Sequence, residues 1–194
     1  MKVNLLYQNN VEIIESNNWA EACNNSQKKL NINFPLIITS KGNVERNDLS
    51  SIFKPQSIYS DISPDPTFSS CERAIKFSKN SNFDGVITIG GGSVMDTAKA
   101  VIASISSGIS NLKELFLIKD SYKTKISSIF IPTTHGTGSE VTKWGTIWNM
   151  EEKKKYSISH KDLYPDIAIL DGNLSRSLPL ELSITTIMDA LSHN

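Results

Sequence analysis

One stretch of this sequence leaves the chain little choice of fold. Gly85-Val86-Ile87-Thr88-Ile89 is an apolar run of strand type that passes without a linker into Gly90-Gly91-Gly92-Ser93. Beyond it Val94, Ala98, Val101, Ile102 and Ile105 recur on one face at helical spacing. Glycines let a backbone approach a ligand closely and adopt positive φ, and the N–H groups and dipole of a helix start attract an anion. The spacing is neither the G-x-G-x-x-G fingerprint nor a Walker P-loop. Asp96 and Lys99, three residues apart, share a helical side roughly opposite the Val94/Val101 stripe. By itself the segment reads either as a phosphate-holding turn or as a tight turn with a solvated ion pair.

The same order of strand then helix recurs along the chain. Pro35–Thr39 and Ile126–Ile131 are further buried-type strands, and Asp166–Leu170 is another. Val3–Leu6 and Val11–Ile14 read as short strands before a polar helix over Trp19–Leu30. Thr67, after the turn Pro64-Asp65-Pro66, is placed to cap a helix from about Phe68 to Asn80. Trp144–Trp148 and Lys155–Ile158 flank a polar turn as a hairpin, and Leu178-Pro179 precedes a helix running from Leu180 to the last residue. These elements predict an α/β, doubly wound, mostly parallel sheet with right-handed connections.

Composition narrows the function classes. Twenty basic and twenty acidic residues give no net charge to attract a nucleic acid or an anionic membrane. The apolar runs, such as Ala100–Ile105, fall far below the ~20 residues of a membrane span. Cys23 and Cys71 lack metal-type spacing and fit free thiols in a cytoplasmic protein. Trp19, Trp144 and Trp148 are expected to pack rather than to stack on bases.

Two further segments carry candidate chemistry. Pro132-Thr133-Thr134-His135-Gly136-Thr137-Gly138-Ser139-Glu140 follows a strand directly, where ligands of parallel sheets bind, and offers hydroxyls and exposed amides. Near the end, Ile184, Ile187, Met188 and Leu191 form an apolar stripe, with Asp189 and His193 on the other side of the helix. Their i, i+4 spacing lets a carboxylate and an imidazole converge on one cation, although two ligands fall short of a catalytic metal centre. Lys153-Lys154-Lys155 reads as a solvated turn whose last member could reach a phosphate or ribose, and His160 has no partner in the sequence. No Ser/His/Asp or Cys/His triad emerges, so no side chain is assigned as a nucleophile.

Taken together and in order, these motifs resemble those of the iron-containing (group III) alcohol dehydrogenases. The resemblance rests on Gly-Gly-Gly-Ser-x-x-Asp-x-x-Lys at 90–99, Pro-Thr-Thr-x-Gly-Thr-Gly-Ser-Glu at 132–140 and Asp-Ala-Leu-x-His at 189–193, with Pro165–Asp171 before Leu178-Pro179. It covers about residues 35–194; the first 34 lack the Phe-Gly-x-Gly turn expected after the first strand. It implies a dinucleotide-binding domain over residues 1–175 and, over 176–194, the first helix of a helical metal-binding domain. Gly90, Gly91, Gly92 and Ser93 would hold the pyrophosphate of NADP or NAD, with Asp96 lining the nicotinamide side. Thr133 and Thr134 would contact nicotinamide and ribose, Lys155 the cofactor, and Asp189 and His193 a divalent metal, iron or zinc. The expected activity is hydride transfer between NAD(P)H and a small aldehyde or alcohol. A homodimer is compatible with this, and no nucleic acid or membrane partner is expected.

The departures from the family pattern carry expectations of their own. Ile187 replaces the usual Gly two residues before the metal-site Asp, where it would crowd the helix approach, and His135 replaces a small residue, where it would fill the cleft in preference to acting as a proton relay. Ser40 stands where NAD-selective relatives place an acid, so NADPH should be accepted. Thr142–Trp148 and Lys155–Ile158 are similar to a branch that reduces phosphonoacetaldehyde, with Lys143 available for an anionic substrate. Because the sequence stops one residue past His193, the chain is expected to be a truncated piece, inactive alone and with one face of its cofactor domain open to water. Competing readings are a lyase or cyclase of the dehydroquinate-synthase-like fold and a non-catalytic nucleotide-binding remnant.

Overall fold

The computed structural model describes residues 10–118, 122–176 and 178–192; the strand expected over 3–6, and His193, lie outside them. In chain order the first half contains β1 (Glu12–Glu15), α1 (Trp19–Lys29), β2 (Pro35–Thr39), α2 (Lys41–Arg46), α3 (Leu49–Ile52), β3 (Ile58–Tyr59), α4 (Phe68–Ser78), β4 (Gly85–Gly90) and α5 (Gly92–Ser107). Then follow α6 (Leu112–Leu117), β5 (Ser127–Pro132), β6 (Trp144–Asn149), β7 (Lys154–Ser159), β8 (Ile167–Leu170) and α7 (Leu180–Ser192). Six strands form one sheet in the order β1-β8-β5-β4-β2-β3, with every pairing parallel. β6 and β7 form a separate antiparallel hairpin.

The apolar runs make sense in this sheet because parallel strands are covered on both faces. Every residue of β4 is buried. Alternate residues go to opposite sides. Leu36, Ile38, Val86 and Phe130 pack with α4, α5 and α6, while Ile37, Ile87, Ile89, Ile129, Ile131, Ile167 and Ile169 pack with α1 and α3. Side chains cap the helix starts: Asn18 accepts from the Glu21 amide, and Thr67 and Ser70 form a reciprocal capping box on α4. α2, α3, α6 and β3 were not expected from the sequence. One or two turns hold too few residues to display a period, so their signals are caps, such as Asn111 accepting from the Lys113 and Glu114 amides.

The two thiols lie on opposite sides of the sheet, free and buried. Burial pushes both from 9.0 up to about 12. The unfolded chain releases these protons above pH 9 and the native chain keeps them, so their contribution is intact below pH 9 and is lost as pH rises toward 12. Unfolding free energy measured by denaturant titration at pH 8 and pH 10 should therefore fall, and Cys71→Ala should flatten the fall. A slope unaffected by that substitution would contradict the assignment.

α7 is amphipathic in an inverted sense. Ser183, Thr186, Asp189 and Ala190 are half-buried along one side. The apolar stripe faces water, with Leu180 77%, Ile184 52%, Met188 59% and Leu191 62% exposed. Ile187, 49% exposed, belongs to that stripe and does not crowd the inner side.

Candidate functional site

A crevice is built into the topology. The chain leaves β2 for α2 and α3 on one side of the sheet and leaves β4 for α5 on the other. Two neighbouring parallel strands whose connections diverge in this way leave a gap at their C-terminal ends, where ligands of open α/β sheets bind. Ser40 ends one strand and Gly90–Ser93 the other.

The turn at Gly90–Ser93 differs from the expectation in its backbone. Positive φ among described glycines occurs at Gly108, Gly136 and Gly138, not in this turn. The glycines serve close approach instead. A Cβ on Gly90 would lie 2.5 Å from Val94 Cγ2, one on Gly91 2.8 Å from Thr134 Oγ1, and one on Gly92 2.9 Å from Thr137 Cγ2. The Thr133 amide donates to the Gly90 carbonyl at 3.1 Å, so the turn and the Thr/Gly loop form two walls of one cleft. Thr133 is buried and Thr134 half-buried. Gly91 caps α5 without any side-chain acceptor, unlike the capped α1 and α4. The Gly92 and Ser93 amides at the start of a 16-residue helix are thereby open to an anion, while the Val94 amide bonds the Gly91 carbonyl.

Ser93 Oγ accepts from the Asp65 amide at 3.3 Å, which leaves its hydrogen to donate. Across the gap, Ser40 Oγ accepts from the Asn43 amide and caps α2. Thr39 Oγ1 and Asn43 Nδ2 both donate to the Ile89 carbonyl, at 2.7 and 3.1 Å, and tie that side to the end of β4.

Asp96 and Lys99 are not a solvated pair. Lys99 is fully buried, and its Nζ donates to Ser139 O and Oγ at 2.8 Å, Thr142 Oγ1 at 3.0 Å and Trp144 O at 2.6 Å. Asp96 accepts from Ser139 Oγ and from the Thr146 amide, each at 3.1 Å. Ser139 therefore stands between the two charges. Burial pulls the Lys99 ammonium down to about 8 against the attraction of Asp96 and Glu140, and burial also raises the Asp96 carboxyl. The signal missed in the sequence is that, Asp96, Thr97 and Lys99 apart, every residue of α5 from Met95 through Ala103 is apolar, as in a buried helix.

The hairpin lies along α5, with Thr146 beside Asp96 and the Trp148 amide on the Pro66 carbonyl, next to the Asp65–Ser93 contact. Lys155 is paired with Trp148, exposed, with its ammonium 4.5 Å from the indole centroid. Asp189 sits on the half-buried side of α7, one turn beyond Thr186. Among the described residues no three His, Cys, Asp or Glu side chains come together in a way that could hold a metal. They therefore supply one expected ligand and not a centre. Three minor expectations change. Trp144 is 47% exposed instead of packed, and His135 is exposed instead of filling the cleft. His160 has partners: its Nδ1 accepts from the Asp162 amide at 3.2 Å, and its ring lies 3.9 Å from that of Tyr122.

With this geometry in place, comparison with known proteins is direct. The profile described as "Iron-containing alcohol dehydrogenase" matches residues 10–172, and the chain belongs to that family. It is 37% identical over 138 residues to long-chain-alcohol dehydrogenase 1 of Geobacillus thermodenitrificans, covering 70% of this chain and 34% of the relative. It is 32% identical over 174 residues to the long-chain primary alcohol dehydrogenase AdhA of Thermoanaerobacter ethanolicus, covering 86% and 44%. Among solved structures, sulfoacetaldehyde reductase from Bifidobacterium kashiwanohense in complex with NAD+ superposes with TM-score 0.85 at 25% identity, covering 96% of this chain and 51% of that one. The NADH-dependent butanol dehydrogenase A of Thermotoga maritima gives 0.84 at 26%, covering 98% and 50%. The chain thus spans about half the length of these structures and less than half of the two curated relatives.

Proposed function

We propose that this chain is the dinucleotide-binding part of an NAD(P)H-dependent oxidoreductase that interconverts a small aldehyde and its alcohol with the help of a divalent metal. The observation that carries the reading is the uncapped glycine start of α5, opening at the strand switch point against the Thr133–Thr137 wall. Gly90, Gly91 and Gly92 bring main-chain amides to the diphosphate, and the Ser93 hydroxyl donates to it. Thr133 and Thr134 border the nicotinamide and its ribose. Asp96, with both oxygens already bonded, acts from behind them by fixing Ser139 and Thr146. Lys155 reaches the cofactor from the hairpin. When bound, the nicotinamide carries the hydride and the metal, iron or zinc, polarises the C–O bond. Asp189 is the described residue placed to hold that metal, a hard oxygen donor on the inner side of α7. Residues 1–175 form the cofactor unit in this reading and 176–194 begin a helical one. Buried free thiols support a reducing, cytoplasmic setting.

Calorimetric titration with NADH and NADPH tests the reading: a saturable 1:1 isotherm with either supports it, and heat with neither removes it. Ser40→Asp sharpens the test. Aspartate caps a helix as well as serine does, so α2 is retained. Its carboxylate should repel a ribose 2′-phosphate and shift the NADPH/NADH affinity ratio about tenfold toward NADH, ~1.4 kcal/mol. An unmoved ratio would show that Ser40 does not border the ribose.

A further inference from the structure

The loop that walls the crevice also touches α7, through a glycine. Gly136 has φ +125, a conformation that L side chains rarely adopt. A Cβ there would lie 2.3 Å from the Thr186 carbonyl oxygen, 3.1 Å from its carbon and 3.3 Å from the Thr186 Cα. These are backbone atoms of a helix, which cannot rotate away. The two constraints are independent, because φ is a property of the loop and the clash is a property of the packing. Gly138, two residues on, has φ +58 but nothing within 4 Å of its would-be Cβ. Thr186 lies in the middle of the half-buried side of α7, between Ser183 and Asp189.

Among the described residues α7 has none that is fully buried, and Ser183, Thr186, Asp189 and Ala190 are half-buried. The loop, in contrast, is anchored at both ends. Thr133 is bonded to Gly90, and Ser139 and Thr142 are bonded to the buried Lys99. A fixed loop meeting a lightly held helix at a glycine sets the spacing between them.

We propose that Gly136 is a positioning residue that sets how closely α7, and with it Asp189, approaches the Thr133–Thr134 wall of the crevice. The inference rests on the nucleotide reading for its functional meaning, though not for its geometry. Gly136→Ala forces the loop and helix apart by the width of a methyl group. Thr186→Phe enlarges the half-buried side of α7 at this contact with no strain in the loop, and it carries the test if the alanine variant does not fold. Gly138→Ala adds a Cβ in open space and serves as the comparison.

Hydrogen exchange of the 194-residue chain reads the spacing directly. In Gly136→Ala and in Thr186→Phe the amides of 183–190 should lose about tenfold in protection while those of β4 and β5 keep theirs; Gly138→Ala should leave α7 unchanged. Affinities for NADH and for ADP-ribose read the consequence. In the two spacing variants NADH should weaken about fivefold and ADP-ribose, which lacks the nicotinamide, by less than twofold, a difference of at least ~0.5 kcal/mol. Unchanged α7 exchange in a folded spacing variant, or equal weakening of both ligands, would overturn the proposal. If the wild-type chain binds neither ligand, the nucleotide reading fails, and α7 exchange alone still decides whether Gly136 sets the spacing.

Discussion

Lys99→Met is expected to cost about 3–5 kcal/mol of stability, because it removes the fully buried ammonium at the centre of a polar network and strands its partners. Methionine fills nearly the same volume, so the loss comes from hydrogen bonding and not from a cavity. The Ser139 and Trp144 carbonyls and the Thr142 hydroxyl lose their shared donor at the interface between α5, the loop and β6. Asp96 then remains buried with its nearest cation gone. Urea unfolding should show the midpoint lowered by roughly 1–3 M. Asp96→Asn should be milder, since its remaining oxygen still accepts from Thr146 or Ser139. A drop below ~1 kcal/mol for Lys99→Met would mean that water replaces the ammonium, and that the loop does not depend on it.

Gly91→Ala should produce the largest loss of nucleotide affinity among single methyl additions. Its φ of −88 is open to any residue, so the backbone tolerates alanine and the effect comes from space alone. The added carbon meets Thr134 Oγ1 at 2.8 Å and Thr134 Cγ2 at 3.2 Å, and it stands beside the first-turn amides. Moving Thr134 should cost about 1–3 kcal/mol of stability. NADH affinity should fall about 100-fold, ~2.7 kcal/mol, because the diphosphate meets the methyl group as well as a displaced wall. Gly172→Ala, with nothing within 4 Å of the new carbon, should change neither quantity. Calorimetry showing the Gly91→Ala dissociation constant within threefold of wild type would place the diphosphate elsewhere.

The parts of the fold that could be read in advance are those whose burial leaves a local mark. β2, β4, β5 and β8 announce themselves as largely apolar runs because both of their faces are covered. Thr67 marks the start of α4 because a cap is a short-range bond. The hairpin at β6 and β7 appears in the sequence within one residue at each end. What could not be read depends on neighbours far along the chain. Lys99 is a charged residue in the sequence and a core residue in the structure, because four acceptors from residues 139–144 meet it. Gly90–Gly92 could equally have been a positive-φ turn; only the positions of Val94, Thr134 and Thr137 show that space is the reason for glycine. The contact of Gly136 with Thr186 joins two motifs that the sequence shows only as separate.

The register that places β1 beside β8, Glu12 opposite Ile167 and Glu15 opposite Leu170, has a consequence for synthesis. Closing so long a loop is entropically costly, and contacts of this range form late. During synthesis β1 therefore waits as an orphan while β2, β4 and β5 zip together beside it. It docks only after residues 167–170 have left the exit tunnel. Any nascent chain halted before that point carries Ile13 and Ile14 with no rail to join, a natural handle for a chaperone or a protease.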